Sequence, residues 1–334
     1  MLTPPPDLAE TEVVRLVRDA WALPLEGCRY LAKGMGSHHW IGSGAAGADR
    51  WFITADRVRT PEAAEELQAC FTVVSSLAPR LPFVLGPQAA TDGSVTRPAG
   101  SDGSLLVSVR DYLPGESGQF GVFARPEIRF LVLRALGEMH ALPVPDLLPR
   151  WQPETYAGIR SALTEKDSSW AQAGPYAEAA RQLVLTNATS LTSRLEDFDA
   201  RCVDLLSHRH DVISHGEPHA ANVLVLESGH ASRGFGSPIA LLDWDTVRAA
   251  PRERDLAVAL PAADSGELPQ ATGIYLEASG DIHDLDHDVI ALFREEWALN
   301  DIDVTLTELL APHGDTADTK AALQILGNYA TGGT

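Results

Sequence analysis

The chain has 334 residues, 45% of them hydrophobic and 22% charged, which is enough to bury a sizeable core in two lobes. Its formal net charge of −20 would repel nucleic acid and anionic membranes, so we expect neither as a partner; it would suit a small cationic molecule, although acidity can also serve solubility alone. No signal-peptide pattern is visible and no apolar run approaches the roughly 20 residues that span a bilayer, so we expect a cytoplasmic protein, monomeric or homodimeric.

The first part of the chain predicts a helix followed by a small antiparallel sheet. Residues 7–21 carry an apolar stripe at helical spacing, with Asp7 expected as the N-cap. Three short apolar segments follow at about 28–32, 38–42 and 51–55, separated by Gly-rich turns. These segments predict the sheet.

The turn between the first two predicted strands reads Lys33-Gly-Met-Gly-Ser37. Backbone N–H groups in such a loop can cover phosphates. Taken alone, the pattern fits a simple hairpin turn as well, so its interpretation depends on motifs further along the chain.

The middle of the chain predicts further helices and one more strand. Turn-forming residues at 89–104 precede a strand at 105–110, and helices are expected at 126–142 and, as two or three segments, at 156–206. His140, at the end of one of these helices, is expected to pack rather than to react.

The densest polar motif lies between two apolar runs and contains His215, Glu217, His219 and Asn222, while Asp243 ends a later buried strand. A carboxylate, an amide five positions later and an acid after a strand have the spacing of a phosphoryl-transfer site. Amide and carboxylate oxygens suit magnesium. The two histidines could suggest zinc, but they lie on a turn with no cysteine nearby, so zinc is disfavoured.

The sequence resembles the aminoglycoside phosphotransferase and choline-kinase superfamily in three motifs. They are His215-Gly-Glu-Pro-His-Ala-Ala-Asn222, Leu241-Leu-Asp-Trp-Asp245 and Arg252-Glu-Arg-Asp-Leu-Ala257. Two less specific motifs, Gly34–Trp40 and Trp51–Asp56, resemble those of the family branch that includes spectinomycin phosphotransferases.

The resemblance implies an α+β, two-lobed protein-kinase-like fold, with a small antiparallel-sheet N-lobe at residues 1–112 and a larger, mainly helical C-lobe at 113–334. It implies an ATP- and Mg²⁺-dependent kinase that phosphorylates a hydroxyl of a small cationic antibiotic, an aminoglycoside or an aminocyclitol such as spectinomycin, and so confers resistance. Two alternatives stay open. One is a kinase of the same fold acting on choline, homoserine or methylthioribose, and the other is a nucleotide- or ligand-binding pseudokinase.

The resemblance also implies roles for the motif residues. Glu217 would orient or deprotonate the acceptor hydroxyl, with His215 and His219 shaping its loop, and Asn222 and Asp243 would bind magnesium. Asp255 would brace the active-site loops. The residues expected at the nucleotide, in the Gly-rich loop and the interlobe hinge, are Lys33, Gly34, Gly36, Ser37, Arg110, Asp111, Tyr112 and Leu113. The acids expected to receive the amines of the acceptor, unless they are solvated helix surface, are Glu295, Glu296 and Asp301.

Two residues depart from the family pattern. Glu217 stands where the family has Asp, and Thr54 stands where a kinase carries the lysine of its third strand. The candidates for a replacement cation are Lys33, Arg57 and Arg59. Glu65 or Glu66, on a predicted helix at 61–77, could hold such a cation or could be solvated.

Overall fold

The computed structural model describes residues 1–34, 36–121, 123–164, 172–208, 210–227 and 235–332. The chain forms two compact units. The first comprises Met1–Trp151 and His210–Asp284, and the second comprises Gln152–Arg209 and Leu285–Thr334. The predicted N-lobe falls within the first unit, as do the predicted catalytic and metal-binding residues.

The first helix, α1, spans Glu10–Trp21 and therefore begins later than predicted. Its N-cap is Ala9, whose N–H donates to the Glu12 carboxylate at 3.0 Å. The expectation that Asp7 caps the helix is wrong, because Glu12 satisfies the first backbone donor from inside the helix.

A five-stranded antiparallel sheet follows α1, in the spatial order β1-β2-β3-β5-β4. Its strands are β1 Gly27–Leu31, β2 Ser37–Ser43, β3 Asp49–Arg57, β4 Arg97–Ala99 and β5 Leu105–Asp111. The four longer strands confirm the predictions. The short β4 was not predicted, since three residues within a turn-rich stretch carry no periodic signal.

The two faces of this sheet have different surroundings. Cross-strand partners share a face, and Trp40, Ile53 and Val109 lie on the face whose core includes Val13 and Val17 of α1. The opposite face carries the polar partners of the same strands. They are Ser37, His39, Thr54, Asp56, Ser108 and Arg110.

In its described residues, the rest of the first unit contains two small antiparallel sheets and four α-helices. One sheet joins β6 Gly115–Ser117, β8 Val223–Leu226 and β9 Ile239–Leu241, and the other joins β7 Asp211–Ser214 and β10 Arg248–Pro251. The helices are α2 Pro61–Leu77, α3 Pro126–His140, α7 Glu253–Ala259 and α8 Leu268–Ser279. The polar loop, residues 215–222, lies between β7 of one sheet and β8 of the other.

Among the described residues of the second unit, the regular elements are all helices. Its helices are α4 Ala157–Thr164, α5 Ala177–Thr186, α6 Ala188–His208, α9 His287–Leu310 and α10 Ala317–Ala330. Its core is apolar, with Phe198, Leu299, Ile302 and Leu326 fully buried. In the part of the chain that the structure describes, no helix is both long and apolar enough to cross a membrane.

Candidate active site

The polar loop after β7 is held by a buried carboxylate on α7. Asp255 accepts hydrogen bonds from Ser214 Oγ at 2.9 Å, His215 N at 2.8 Å, Gly216 N at 2.6 Å and His140 Nε2 at 2.9 Å. Burial acts to raise the pKa of Asp255, but the hydrogen bonds from His140 and the loop lower it to about 2. Asp255 therefore braces the loop as an anion, as the resemblance implied.

His215 connects this loop to the segment that carries Asp243. Its Nε2 donates to the Leu242 carbonyl at 2.8 Å, and its Nδ1 accepts from the Glu217 N–H at 3.2 Å. These two bonds require the neutral tautomer with the proton on Nε2. Burial lowers the pKa of His215 to about 4, so the ring stays neutral at pH 7. The geometry gives His215 a part in shaping the loop.

Glu217 and Asn222 lie on the same turn. The Asn222 Nδ2 donates to the Glu217 carbonyl at 3.0 Å, so the amide nitrogen is used within the loop and Oδ1 is the atom that remains for a cation. The Glu217 side chain is 32% exposed, and the His219 Nε2 lies 4.0 Å from its carboxylate. A partly exposed carboxylate and an amide thus belong to one loop, and the hydrogen bond from Asn222 Nδ2 to the Glu217 carbonyl joins their residues.

Asp243 follows β9 in a strained conformation. Its φ is +62°, a region that costs a non-glycine residue of order 1 kcal/mol or more. Burial and the carboxylates of Asp245, Glu217 and Asp56 raise the pKa of Asp243 well above its usual value, while Arg110 opposes the shift. The four acids form a negatively charged region that a divalent cation would neutralise.

The donor set at this point fits magnesium. The Leu242 N–H donates to the Asn222 carbonyl at 2.9 Å, which places Asn222 beside the residue before Asp243. Among the described residues, no three His, Cys, Asp or Glu side chains are arranged to hold a metal ion. A cation held by Asn222 and Asp243 would therefore complete its shell with water and phosphate oxygens, as magnesium does.

The two glycines of the loop between β1 and β2 have left-handed backbone conformations. Gly34 and Gly36 have φ of +75° and +84°, which other residues rarely adopt, and a Cβ at Gly36 would have no atom within 4 Å. Met35 lies outside the described residues. The Lys33 amine donates to Ser117 Oγ on β6, and Ser37 Oγ donates to Asp56 at 2.6 Å.

The structure gives the predicted hinge residues distinct surroundings. The Tyr112 N–H donates to the Arg50 carbonyl at 2.9 Å, and Asp111 accepts from Gln88 Nε2 at 2.7 Å. Arg110 was predicted as a hinge residue at the nucleotide, and its buried guanidinium interacts electrostatically with the acids around Asp243. Sequence alternation along β5 could have placed Arg110 on this face.

The helix α2 contacts an arginine side chain that is not among the predicted replacement cations. Glu66 pairs with Arg248 at 2.9 Å, and Cys70 accepts from the same guanidinium at 3.1 Å. Arg57, one of the predicted cations, instead contacts Ser104 Oγ at 3.3 Å, and Glu65 is exposed.

The predicted acceptor-binding acids all lie on α9 in the second unit. Glu295 pairs with Arg194 at 2.5 Å, and Asp301 accepts from Trp297 Nε1 at 3.1 Å. Burial raises the pKa of Asp301 to about 6. Burial raises the pKa of Tyr156, and the negative charge of the nearby Glu296 raises it further. Their role at an acceptor stays a prediction.

Comparisons with known proteins identify the family of this architecture. A family model described as "Phosphotransferase enzyme family" matches residues 40–293. A comparison with curated proteins finds no match.

Several solved structures are similar over nearly the whole chain. A spectinomycin phosphotransferase in complex with ADP and spectinomycin has a TM-score of 0.64 and 14% identity, covering 97% of this chain and 98% of its own. An amicoumacin kinase in complex with AMP-PNP and Ca²⁺ has a TM-score of 0.60 and 14% identity, covering 96% and 93%. A choline kinase from Streptococcus pneumoniae has a TM-score of 0.52 and 13% identity, covering 96% and 98%. These likenesses confirm the predicted kinase-like fold.

Proposed function

Because the chain belongs to the phosphotransferase enzyme family, we propose that it uses ATP and Mg²⁺ to phosphorylate a hydroxyl of a small cationic antibiotic, an aminoglycoside or an aminocyclitol such as spectinomycin, and so confers resistance. One observation carries the proposal. A partly exposed carboxylate, Glu217, lies on the same turn as the Asn222 amide and acts electrostatically on Asp243. A base, an amide oxygen and an acid at one point are the groups that phosphoryl transfer to an alcohol needs.

The residues of the loop have separable tasks in this reaction. Bound magnesium would neutralise the charge that develops on the transferred phosphoryl group. Asn222 Oδ1 and the Asp243 carboxylate would hold it. Glu217 orients the acceptor hydroxyl and accepts its proton, while the neutral His215 fixes the backbone of Glu217 through its N–H.

A cationic acceptor is supported by charge. The protein carries a net charge of −20, and α9 in the second unit carries the three predicted acceptor-binding acids among its six acidic residues. Solved structures of similar fold include proteins named for spectinomycin and choline, which bear amine or ammonium groups. An acceptor with amines would gain attraction both from the overall field and from local carboxylates.

The likeness to a choline kinase also favours a second candidate, a kinase of a small metabolite. One assay separates the candidates: ADP release is measured with Mg·ATP and a panel of aminoglycosides, spectinomycin, choline, homoserine and methylthioribose. We expect a cationic antibiotic to give a kcat/KM at least about tenfold above any metabolite. Preference for a metabolite would favour the second candidate. Nucleotide binding without ADP release from any acceptor would favour a pseudokinase.

A further inference from the structure

The third strand carries no positive side chain at the position where a kinase holds its phosphate-binding lysine. Thr54 occupies that position on β3 and is 5% exposed. A hydroxyl cannot neutralise phosphate charge. The predicted substitute Lys33 extends instead toward Ser117, and Arg57 contacts Ser104.

The neighbouring strand places an arginine beside the same point. Ser108 on β5 is the direct cross-strand partner of Thr54, and Arg110 lies two residues further on the same face. The Arg110 Nη1 donates to Ser108 Oγ at 2.8 Å, so the side chain folds back along β5 toward Thr54. Two residues of a strand span about 6.6 Å, which an arginine side chain can cover. Its guanidinium therefore lies next to the place that the lysine would occupy.

Both an aromatic ring and several acids act on the Arg110 guanidinium. The guanidinium lies over the Phe71 ring of α2, 4.8 Å from its centroid. Burial lowers the pKa of Arg110, and Asp56, Asp243 and Asp245 oppose that shift, so the four charges act on one another.

Arg110 and Asp56, the acid that acts most strongly on its pKa, are also incompletely paired. Among the described residues, Arg110 Nε and Asp56 Oδ2 are both buried without a hydrogen-bond partner. A buried guanidinium with an unused donor, beside a predicted metal ligand, is suited to an added anion.

We propose that Arg110 supplies the positive charge that binds the nucleotide phosphates, in place of a lysine on β3; this inference rests on the proposed function. Phe71 and Ser108 then position the guanidinium, and Asp56, which accepts a hydrogen bond from Ser37 at the end of the Gly-rich loop, acts on it electrostatically. The phosphates would complete the hydrogen bonds that Arg110 lacks.

The test measures binding of Mg·ATP and of adenosine by calorimetry on the full chain, without acceptor. Removing Arg110 alone would leave buried acids uncompensated, so Arg110→Met is combined with Asp56→Asn, and Asp56→Asn alone is the matched control. We expect the double variant to bind Mg·ATP at least tenfold more weakly than the control, which is 1.4 kcal/mol at 25 °C, with adenosine binding unchanged.

The other outcomes would overturn either the inference about Arg110 or the proposed function. Binding of Mg·ATP by the double variant within threefold of the control would overturn the inference, and so would an equal loss of adenosine, which indicates a structural role. If the double variant does not fold, Arg110→Lys replaces it: retained charge should keep Mg·ATP affinity within about tenfold, and a larger loss shared by adenosine would overturn the inference. A wild-type chain that binds no Mg·ATP would refute the proposed function itself.

Discussion

Backbone strain and electrostatic crowding coincide at Asp243. A left-handed φ is costly for an aspartate, and three further carboxylates act on it. Neither feature stabilises the free protein. Both are explained if the carboxylate is held ready for a cation that enters with the nucleotide.

The substitution Asp243→Asn tests this explanation. Asparagine tolerates the left-handed region and removes one of the crowded charges, so we expect unchanged or higher thermal stability without nucleotide. Turnover with Mg·ATP should fall by about a hundredfold or more, because the metal loses its charged ligand. Asp264→Asn, at an exposed position, is the control. Near-normal turnover of Asp243→Asn would remove Asp243 from the metal site.

Glu217 is one of the two residues at which this chain departs from the family pattern. A glutamate reaches one methylene, about 1.5 Å, beyond an aspartate, and a misplacement of about 1 Å can cost a catalytic group on the order of a hundredfold. The loop must therefore be fitted to the longer side chain. Pro218 restricts the backbone of Glu217 to extended geometry, and the bonds from His219 N and Asn222 Nδ2 hold its carbonyl.

Two substitutions separate the chemistry of Glu217 from its length. Glu217→Gln should abolish turnover while nucleotide affinity changes little, because an amide cannot accept the proton of the hydroxyl. Glu217→Asp should also lower kcat, by roughly tenfold to a hundredfold. Steady-state kinetics with an accepted substrate measure both, with exposed Glu138→Gln as control. A Gln variant as active as the parent would show that Glu217 is not the base.

At the scale of elements, local patterns predicted most of the fold. The strands on either side of Glu217 and the helix Pro61–Leu77 follow from short-range periodicity and capping residues. The features that these patterns did not predict are contacts between residues far apart in the sequence. Glu66 meets Arg248, and His140 meets Asp255, across more than one hundred residues. No periodicity of one segment encodes such pairings, because they arise only when several elements pack together.

The brace at Asp255 gives a prediction for the elements that it joins. Its pKa is depressed from 3.8 to about 2, which corresponds to roughly 2 kcal/mol of stability. Because the folded-state pKa is the lower one, this contribution is present above pH 3.8 and is lost as the pH falls toward 2. We expect Asp255→Asn to cost about 3 kcal/mol at pH 7, since an uncharged amide cannot accept all four donors.

Urea unfolding at pH 7 and at pH 3 measures this contribution. The difference in unfolding free energy between wild type and Asp255→Asn should narrow at pH 3. Asp199→Asn, which removes the exposed pair with Arg160, should change stability by no more than about 0.5 kcal/mol. An equal difference at both pH values would show that the charge of Asp255 is not what braces the loop.

For the whole molecule, the dominant property is negative charge. The 46 acidic residues outnumber 26 lysines and arginines, and the polar region around Asp243 adds acids at the site itself. Such a field disfavours ATP as much as it favours a cationic acceptor. In the proposed reaction, magnesium and Arg110 would offset this field on the nucleotide side, whereas a cationic acceptor would be attracted by it directly.

The negative charge predicts that salt weakens binding of a cationic acceptor and leaves binding of uncharged adenosine unchanged. The distance over which salt screens charges, the Debye length, shortens from about 10 Å at 0.1 M salt to about 3 Å at 1 M. We expect the affinity for a cationic acceptor to fall by about fivefold or more over that range, while adenosine binding stays constant. Glu296→Gln should reduce the salt dependence, and Asp288→Asn, exposed in the first turn of the same helix, should not. Acceptor binding that does not change with salt would point to a neutral acceptor, because an ammonium group held by carboxylates cannot escape screening at the surface.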